Sequence, residues 1–398
     1  MEERQEFNWS EFASLWTFDP GVTYLNHGSF GPPADIVRRE RERWSEALAR
    51  NPMDFFLRQL EPELDRAADR LGHLVGCQGG DLVFVPNATT GMNIVAENLP
   101  LEAGDEVLLN DHEYGAVIRI WGRACGKVGA KTVLATTPRN PERAEQLVEA
   151  VLDRVTPRTR LIVVSHVTSA SGMVFPVETL CREAAARKIP VCVDGPHAIA
   201  MRDIRIADLP CDFYCGSLHK WLAAPFGAGF LYVRGRRKSG LQPNLLSWGR
   251  SLGGRPATWK DEFHWVGTAD FAPYLAVPAA IEFLERIGLD RFRQQTHELA
   301  RRARHRIVAE LDGEPISPDS LDWYGSMTTV RLPWVASRAA FPNAFHNLQK
   351  WLWDEARIEI PVVQWRDEIH LRVSCHLYNT PEHLDRLIDS VRRWRANV

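Results

Sequence analysis

No uninterrupted apolar stretch in this chain approaches the roughly 20 residues that cross a bilayer as a helix. The charged N-terminus MEERQEFNWSEF lacks the apolar core of a signal peptide. A cytoplasmic location is therefore expected, with no membrane partner. Charge of one sign is equally scarce. The 48 basic and 51 acidic residues leave a formal net charge of −3, interspersed without a basic face or an acidic tail. Nucleic acid is accordingly not an expected partner. The seven cysteines (Cys77, Cys125, Cys181, Cys192, Cys211, Cys215 and Cys375) are odd in number and lie mostly in apolar strand or helix patterns, which reads as buried free thiols. Cys211 and Cys215 have a CxxxC spacing, but no second Cys/His pair with ligand spacing accompanies them, so no metal is expected. Internal repeats and low-complexity tracts are missing too. What remains is an ordinary folded chain of 398 residues, 45% hydrophobic and long enough for two or three structural domains.

The residues that carry chemistry stand close together in sequence. Ser217-Leu218-His219-Lys220-Trp221 follows Val193-Asp194-Gly195-Pro196-His197 by about one βα unit, with Lys220 26 residues beyond Asp194. Both read as strand ends. Ile189 to Val193 is an apolar run that stops at Asp194, and Asp212 to Gly216 is a short strand leading into the polar SxHK turn. Ligands collect at the carboxyl ends of strands in an open α/β sheet. A lysine amine can join the aldehyde of pyridoxal 5'-phosphate as a Schiff base, while a carboxylate keeps the pyridine nitrogen protonated so that the ring accepts electrons from a bond broken at Cα. Alone, Asp-Gly after a strand is a turn signal and His-Lys a solvated pair. Their order and spacing favour Asp194 and Lys220 as the catalytic pair of a pyridoxal phosphate enzyme.

From about Asp81 to Val233 short apolar runs alternate with longer amphipathic segments. The runs at 82–85, 106–110, 131–135, 160–165, 189–194, 212–216 and 229–233 read as strands. This alternation predicts an α/β fold with a mostly parallel sheet covered by helices on both faces. Residues 234–272 mix Gly, Pro, Trp and charge without a clear period and read as a long ordered connection over the active site. Beyond Pro273 two helical patterns, a strand at SMTTVRLP, a helix near 341–356, two strands near 358–375 and a final helix from Pro381 predict a smaller α+β C-terminal domain.

Seven segments go further: YLNHGSFGP (24–32), NPMDFFLRQL (51–60), NATTGMN (87–93), SHVTSASG (165–172), VDGPH (193–197), CDFYCGSLHKWL (211–222) and RVSCHLYNT (372–380). Through them the chain resembles, over nearly its whole length, the class V aminotransferase family of fold-type I pyridoxal phosphate enzymes. Within that family it is most similar to isopenicillin N epimerase-like proteins, with the cysteine desulfurase and selenocysteine lyase group as neighbours. The resemblance implies a large cofactor-binding domain at 33–272 and a discontinuous small domain made of 1–32 with 273–398.

Asn87-Ala88-Thr89-Thr90-Gly91 lies between a strand and a helix, where backbone N–H groups and the helix dipole favour an anion. Taken alone it reads as a helix cap. The resemblance makes it the phosphate cup, with hydroxyls from Thr89 and Thr90 and further donors from Ser217 and His219. It also makes Thr268 the residue that reaches the phosphate of a neighbouring subunit, which implies a homodimer. Asp111-His112-Glu113-Tyr114 follows another strand, and related enzymes stack a ring on the cofactor from this position. Tyr114 is favoured because it keeps Trp121 in step, and His112 is the alternative. Ser169 stands where desulfurases carry Asn, and it shares with His197 the expected contact to the cofactor's 3-hydroxyl.

For the substrate, alternation along DEIHLRVSC puts His370, Arg372 and Ser374 on one strand face. A bidentate guanidinium is the natural clamp for an amino-acid carboxylate, and Arg372 matches the family's carboxylate-binding arginine. Asn26 and His27 are expected at the substrate entrance. Gly28 and Gly31 beside them read equally well as a tight turn. Desulfurases carry an attacking cysteine somewhat more than a dozen residues before this arginine, whereas RIEIPVVQWRDEIHL has none. A persulfide mechanism is therefore not expected. Epimerisation or racemisation at Cα of an amino acid or small peptide is the first expectation. Carbon-sulfur β-elimination from a cysteine conjugate or sulfoxide is the second, with transamination also open. A cofactor-binding protein without turnover is the third, disfavoured because phosphate binding alone does not require Asp194, Lys220 and Arg372 together.

Overall fold

The computed structural model describes residues 9–335 and 347–396. Seven strands form its large sheet in the order Leu82–Val85, Gly229–Val233, Phe213–Ser217, Val191–Asp194, Thr159–Ser165, Glu106–Asn110 and Lys131–Ala135. Gly229–Val233 runs antiparallel to both neighbours, and the other pairs are parallel. The expected strands are all present, four with the expected ends and three with ends shifted by one or two residues. Ile189–Asp194, for example, pairs only from Val191, because Pro190 has no N–H to donate.

Burial on both faces explains why these strands read as continuous apolar runs rather than alternating ones. Along Val191-Cys192-Val193 the side chains point alternately to opposite faces. Val191 and Val193 enter one apolar cluster with Phe84, Leu108, Ile162 and Tyr214. Cys192 enters another with Val83, Val107, Leu161 and Cys215. The helices Ala88–Asn98, Gly115–Val128, Glu145–Leu152 and Val177–Ala186 are the crossovers between strands. Each parallel strand therefore ends at the same edge of the sheet, where Asn110, Ser165, Asp194 and Ser217 are the last strand residues.

A second, antiparallel sheet has the order Val362–Trp365, Glu368–Ser374, Met327–Arg331 and Glu314–Pro315. The helices Leu289–Leu311, Asn347–Ala356 and Pro381–Ala396 share an apolar cluster with it through Leu299, Ile307, Leu352, Leu371, Leu387 and Ile388. Leu25 from the start of the chain joins this cluster, and Thr23–Tyr24 pairs with Ile358–Glu359. The helix Val277–Ile287 packs instead with the large-sheet cluster through Val277, Ile281 and Leu284. Of the helix expected near 341–356, the part at 341–346 lies outside the described residues. None of the described helices is long and apolar enough to cross a membrane.

The connection 234–272 corrects an expectation. None of its residues lines the catalytic cleft. It runs beside the edge strand Leu82–Val85, fastened to the helix Leu60–Val75. There Glu61 accepts from Leu252 N (2.6 Å) and Ser251 Oγ (2.6 Å), and Lys260 pairs with Asp65 (2.5 Å).

Candidate active site

The strand ends open into a cleft of about 280 Å3 whose walls include Asn87, Thr89, Tyr114, Ser169, Asp194, His197, Ser217, His219 and Lys220. The helix Ala88–Asn98 starts here. Asn87 caps it by accepting from Thr90 N (2.9 Å), and Ser217 Oγ accepts from Ala88 N (3.0 Å). That bond ties the end of one strand to the N-terminus of the helix, where N–H groups and the dipole favour an anion. Thr89 is exposed on the cleft wall. Thr90 is turned away, its hydroxyl donating to Asn87 Oδ1 (3.2 Å), and it lines a separate apolar hollow.

Lys220 Nζ lies 2.7 Å from His197 Nε2. Its main chain is gripped from below. His27 Nε2 approaches the Lys220 carbonyl at 2.9 Å, while His27 Nδ1 pairs with the Tyr378 hydroxyl at 2.8 Å. His376 stacks on His27 with centroids 4.0 Å apart, and its Nε2 lies 3.2 Å from the Trp221 carbonyl. His27 is thus fully buried beneath the lysine rather than at the mouth of the cleft. Gly31 passes so close that a Cβ there would fall 2.4 Å from both His219 O and His27 Nε2.

Arg372 is buried, and three oxygens hold its guanidinium: Ser169 O (2.6 Å), Ser29 Oγ (2.5 Å) and Asn26 Oδ1 (3.2 Å). Among the described residues no carboxylate forms an ion pair with it, and its Nε has no partner. Burial pulls its pKa down to about 10. A buried guanidinium without a counter-ion is costly, by several kcal/mol on the order of a broken buried pair. Arg372 does not itself line the cleft; it stands behind the part of the wall made by Ser29 and Ser169, the two partners through which it touches the cleft.

The turn after Glu106–Asn110 settles which ring faces the cleft. Asn110 Oδ1 accepts from His112 N (2.9 Å), and His112 then packs on Trp365 (centroids 4.2 Å) with its Nδ1 at 2.8 Å from Ser171 Oγ. His112 is not on the cleft wall, whereas Tyr114 is. Thr268 is exposed, follows Gly267 at φ +118°, and does not line the cleft of its own chain.

Desolvation dominates the electrostatics. It pushes the Asp194 carboxyl up and the Lys220 amine down, while the attraction between the two groups opposes both shifts. The lysine is therefore a free amine at lower pH than an ordinary lysine. Burial also holds His27, His112, His197 and His376 neutral, His376 down to about 3 and His112 to about 4. Because unfolded histidine titrates near 6.5, the unfolded chain binds more protons below that pH. Each of the four then loses about 1.4 kcal/mol of stability per pH unit. Glu113 and Asp194, whose pKa values are raised, act in the opposite sense, but burial lowers His166, His219 and His264 as well, so the histidines outnumber them. The urea midpoint is expected to fall clearly between about pH 6.5 and about pH 5.5; an unchanged midpoint would show that these rings are already charged.

Several residues of the site carry no signal in a single sequence. Glu113 is buried, and its carboxylate accepts from Asn110 Nδ2 (2.6 Å), Ser165 N (2.9 Å) and Ser165 Oγ (2.6 Å). Desolvation, with Asp194 nearby, pushes it up to about 8. It locks the turn bearing Tyr114 to the end of the neighbouring strand. Ser29, His376 and Tyr378 lie inside the quoted motifs, but only the fold brings them to Arg372 and Lys220. The seven cysteines are free, and none lines the cleft; burial pushes the Cys375 thiol up.

A lysine and a carboxylate at adjacent strand ends, a helix start that favours an anion and a buried arginine lie together at the carboxyl edge of a mostly parallel α/β sheet, the arrangement of a cofactor-dependent enzyme. Comparison with known proteins agrees. The family described as Aminotransferase class-V matches residues 56–387, and the chain belongs to it. It is 37% identical to an isopenicillin N epimerase of Amycolatopsis lactamdurans and 35% identical to that of Streptomyces clavuligerus, in both cases over 96% of this chain and 98% of the relative. A probable chloroplastic L-cysteine desulfhydrase of Arabidopsis thaliana is 28% identical, over 96% of this chain and 84% of the relative. Among solved structures, a lysine mutant of C-DES with glycine covalently linked to its PLP cofactor superposes with a TM-score of 0.79 at 21% identity, covering 96% of this chain and 98% of that one. At that identity the likeness speaks for the fold.

The cofactor is pyridoxal 5'-phosphate, and the residues present fit it. The Asp194 carboxylate, buried at the cleft, receives no hydrogen bond among the described residues, and His197 Nδ1 is buried without a partner. A protonated ring nitrogen and a ring hydroxyl are the groups such atoms lack.

Proposed function

We propose that this enzyme is an epimerase or racemase acting at Cα of an amino acid or small peptide. The observation that carries the reading is the buried, counter-ion-free Arg372 beside the lysine cleft, and the likeness to two isopenicillin N epimerases supports it. In this reading Thr89, Ser217, His219 and the start of the helix Ala88–Asn98 hold the phosphate, Asp194 the ring nitrogen, and Ser169 with His197 the ring hydroxyl, while Tyr114 covers the ring. The cofactor supplies an electron sink for the bond broken at Cα. Arg372 orients the substrate carboxylate, with Asn26 and Ser29 fixing the guanidinium. The Lys220 amine, neutral at modest pH, takes the Cα proton, and a proton returns from the opposite face. His27 serves by holding the Lys220 carbonyl.

Carbon-sulfur β-elimination is the second reading, favoured by the desulfhydrase relative. Without a cysteine on the cleft wall it requires sulfur to leave as a thiol or sulfenate. Pyruvate and ammonia released from a panel of cysteine conjugates would establish it. Interconversion of enantiomers without either product is the outcome expected here.

The division into 33–272 and 1–32 with 273–398 belongs to the same proposal, as does a cytoplasmic homodimer. Leu245, Leu246 and Trp248 are 65%, 73% and 64% exposed, an apolar strip of the kind that subunits cover. Thr268 would then serve the partner's phosphate. Mixing Lys220→Ala with Thr268→Ala subunits is expected to restore activity, because one site of each heterodimer is intact. Activity no higher than the average of the two parents, with heterodimers formed, would exclude shared sites.

A further inference from the structure

We propose that Tyr114 is the second acid of the cleft, its phenol giving a proton to Cα on the face opposite Lys220; this rests on the epimerase or racemase reading above. Inversion at Cα takes a proton on one side and delivers another on the other, so two proton carriers must stand across the cleft from each other. Sheet order provides that separation. Lys220 follows the strand Phe213–Ser217 and Tyr114 follows Glu106–Asn110, with the strands that end in Asp194 and Ser165 between them. Three strand spacings put the two turns roughly 14 Å apart, a gap that two long side chains can close on a substrate from either side.

The wall offers few other acids. Apart from serine and threonine hydroxyls, the groups on it that can release a proton are Tyr114, Asp194, His197, His219 and Lys220 among the described residues. His197 lies against Lys220 Nζ (2.7 Å), and His219 precedes the lysine with its ring beside Phe226 (centroids 5.5 Å). Both are on the lysine's side, and burial holds both neutral. Asp194 is committed to the ring nitrogen. Tyr114 is 51% exposed on a turn that Glu113 locks to Ser165 N (2.9 Å). Arg372 senses it: burial lowers the arginine's pKa, and Tyr114 opposes the fall. The phenol is therefore within electrostatic reach of the group that orients the substrate carboxylate, one bond from Cα.

In the L-to-D direction the Cα–H bond breaks, its proton goes to the Lys220 amine and its electron pair to the cofactor. The Tyr114 O–H bond then breaks, and that pair closes a new C–H bond on the opposite face. A proton passing from the lysine ammonium through water to the phenolate restores both groups. The reverse direction uses the same groups with their roles exchanged.

The test uses the holoenzyme in D2O with both enantiomers of whichever common amino acid the wild type exchanges fastest at Cα, followed by proton NMR and chiral chromatography. Tyr114→Phe keeps the ring and removes the acid. It is expected to retain the cofactor's visible absorbance and the Cα-H/D exchange of the L-enantiomer, while inversion and exchange of the D-enantiomer fall by about 100-fold or more. Inversion by Tyr114→Phe at the wild-type rate would overturn the proposal and leave the epimerase reading standing. Loss of L-exchange and inversion to the same degree would also overturn it, because a residue that only covers or places the ring acts on both steps. A wild type that exchanges without inverting, or exchanges none of these amino acids, would reject the epimerase reading itself and the second acid with it.

Discussion

Lys220→Ala is expected to lose about 10²–10⁴-fold in turnover, the range for removing a positioned general base, together with every covalent tie to the cofactor. The two losses have one origin, because the same Nζ both tethers the cofactor and moves the Cα proton. The fold should be unaffected. Among the described residues Nζ makes one hydrogen bond, to His197, while the residue's structural work is done by its carbonyl, which His27 holds. Borohydride treatment followed by denaturation separates the outcomes. The wild type should keep the cofactor on the peptide containing Lys220, and the variant should release it. A variant that retains the bound group, or that turns over at the wild-type rate, would remove Lys220 from both roles.

The second large effect is expected at Asp194. Asp194→Asn should still load cofactor through the phosphate cup, but the neutral amide no longer stabilises a proton on the ring nitrogen. Turnover should fall by about 10²–10³-fold, the scale seen when one preorganised charge-stabilising group is lost. A second readout separates electrostatics from misfolding. Asp194 raises the Lys220 pKa and burial lowers it, so removing the carboxylate should leave burial unopposed. The pH midpoint for capture of cofactor by the apoenzyme should then move further below the ordinary lysine value. An upward shift or no shift would mean that the two side chains do not sense each other.

The parts of this site legible in sequence are those whose local context dictates their place. Asp194 ends an apolar run and Ser217 opens a polar turn, so the sheet topology brings both to one edge with Lys220. Asn87 caps a helix within three residues of its own position, which a linear pattern reveals. Long-range packing decides the rest. Nothing local says that Glu113 will find Ser165, 52 positions on, or that His27 will meet Tyr378 at the other end of the chain. The stretch 234–272 misled for the same reason. Its composition marks an ordered connection, but only the carboxylates of Glu61 and Asp65 on one helix decide that it lies beside an edge strand of the sheet. Tyr114 and His112 were separable only through the turn made by Asn110, which sends one ring to the cleft and the other onto Trp365.

The central claim is that Lys220, Asp194 and Arg372 form one site that takes a proton from Cα and returns it on the other face. Stereochemical course in D2O tests this most directly, with the holoenzyme and a single L-amino acid bearing a free α-carboxylate, followed by NMR and chiral chromatography. The account predicts that the D-enantiomer appears carrying deuterium at Cα, and that Arg372→Leu slows its formation while leaving the cofactor bound. Substrate recovered with its configuration and its Cα hydrogen intact after many catalytic-site equivalents of time, or consumed to pyruvate without inversion, would contradict it.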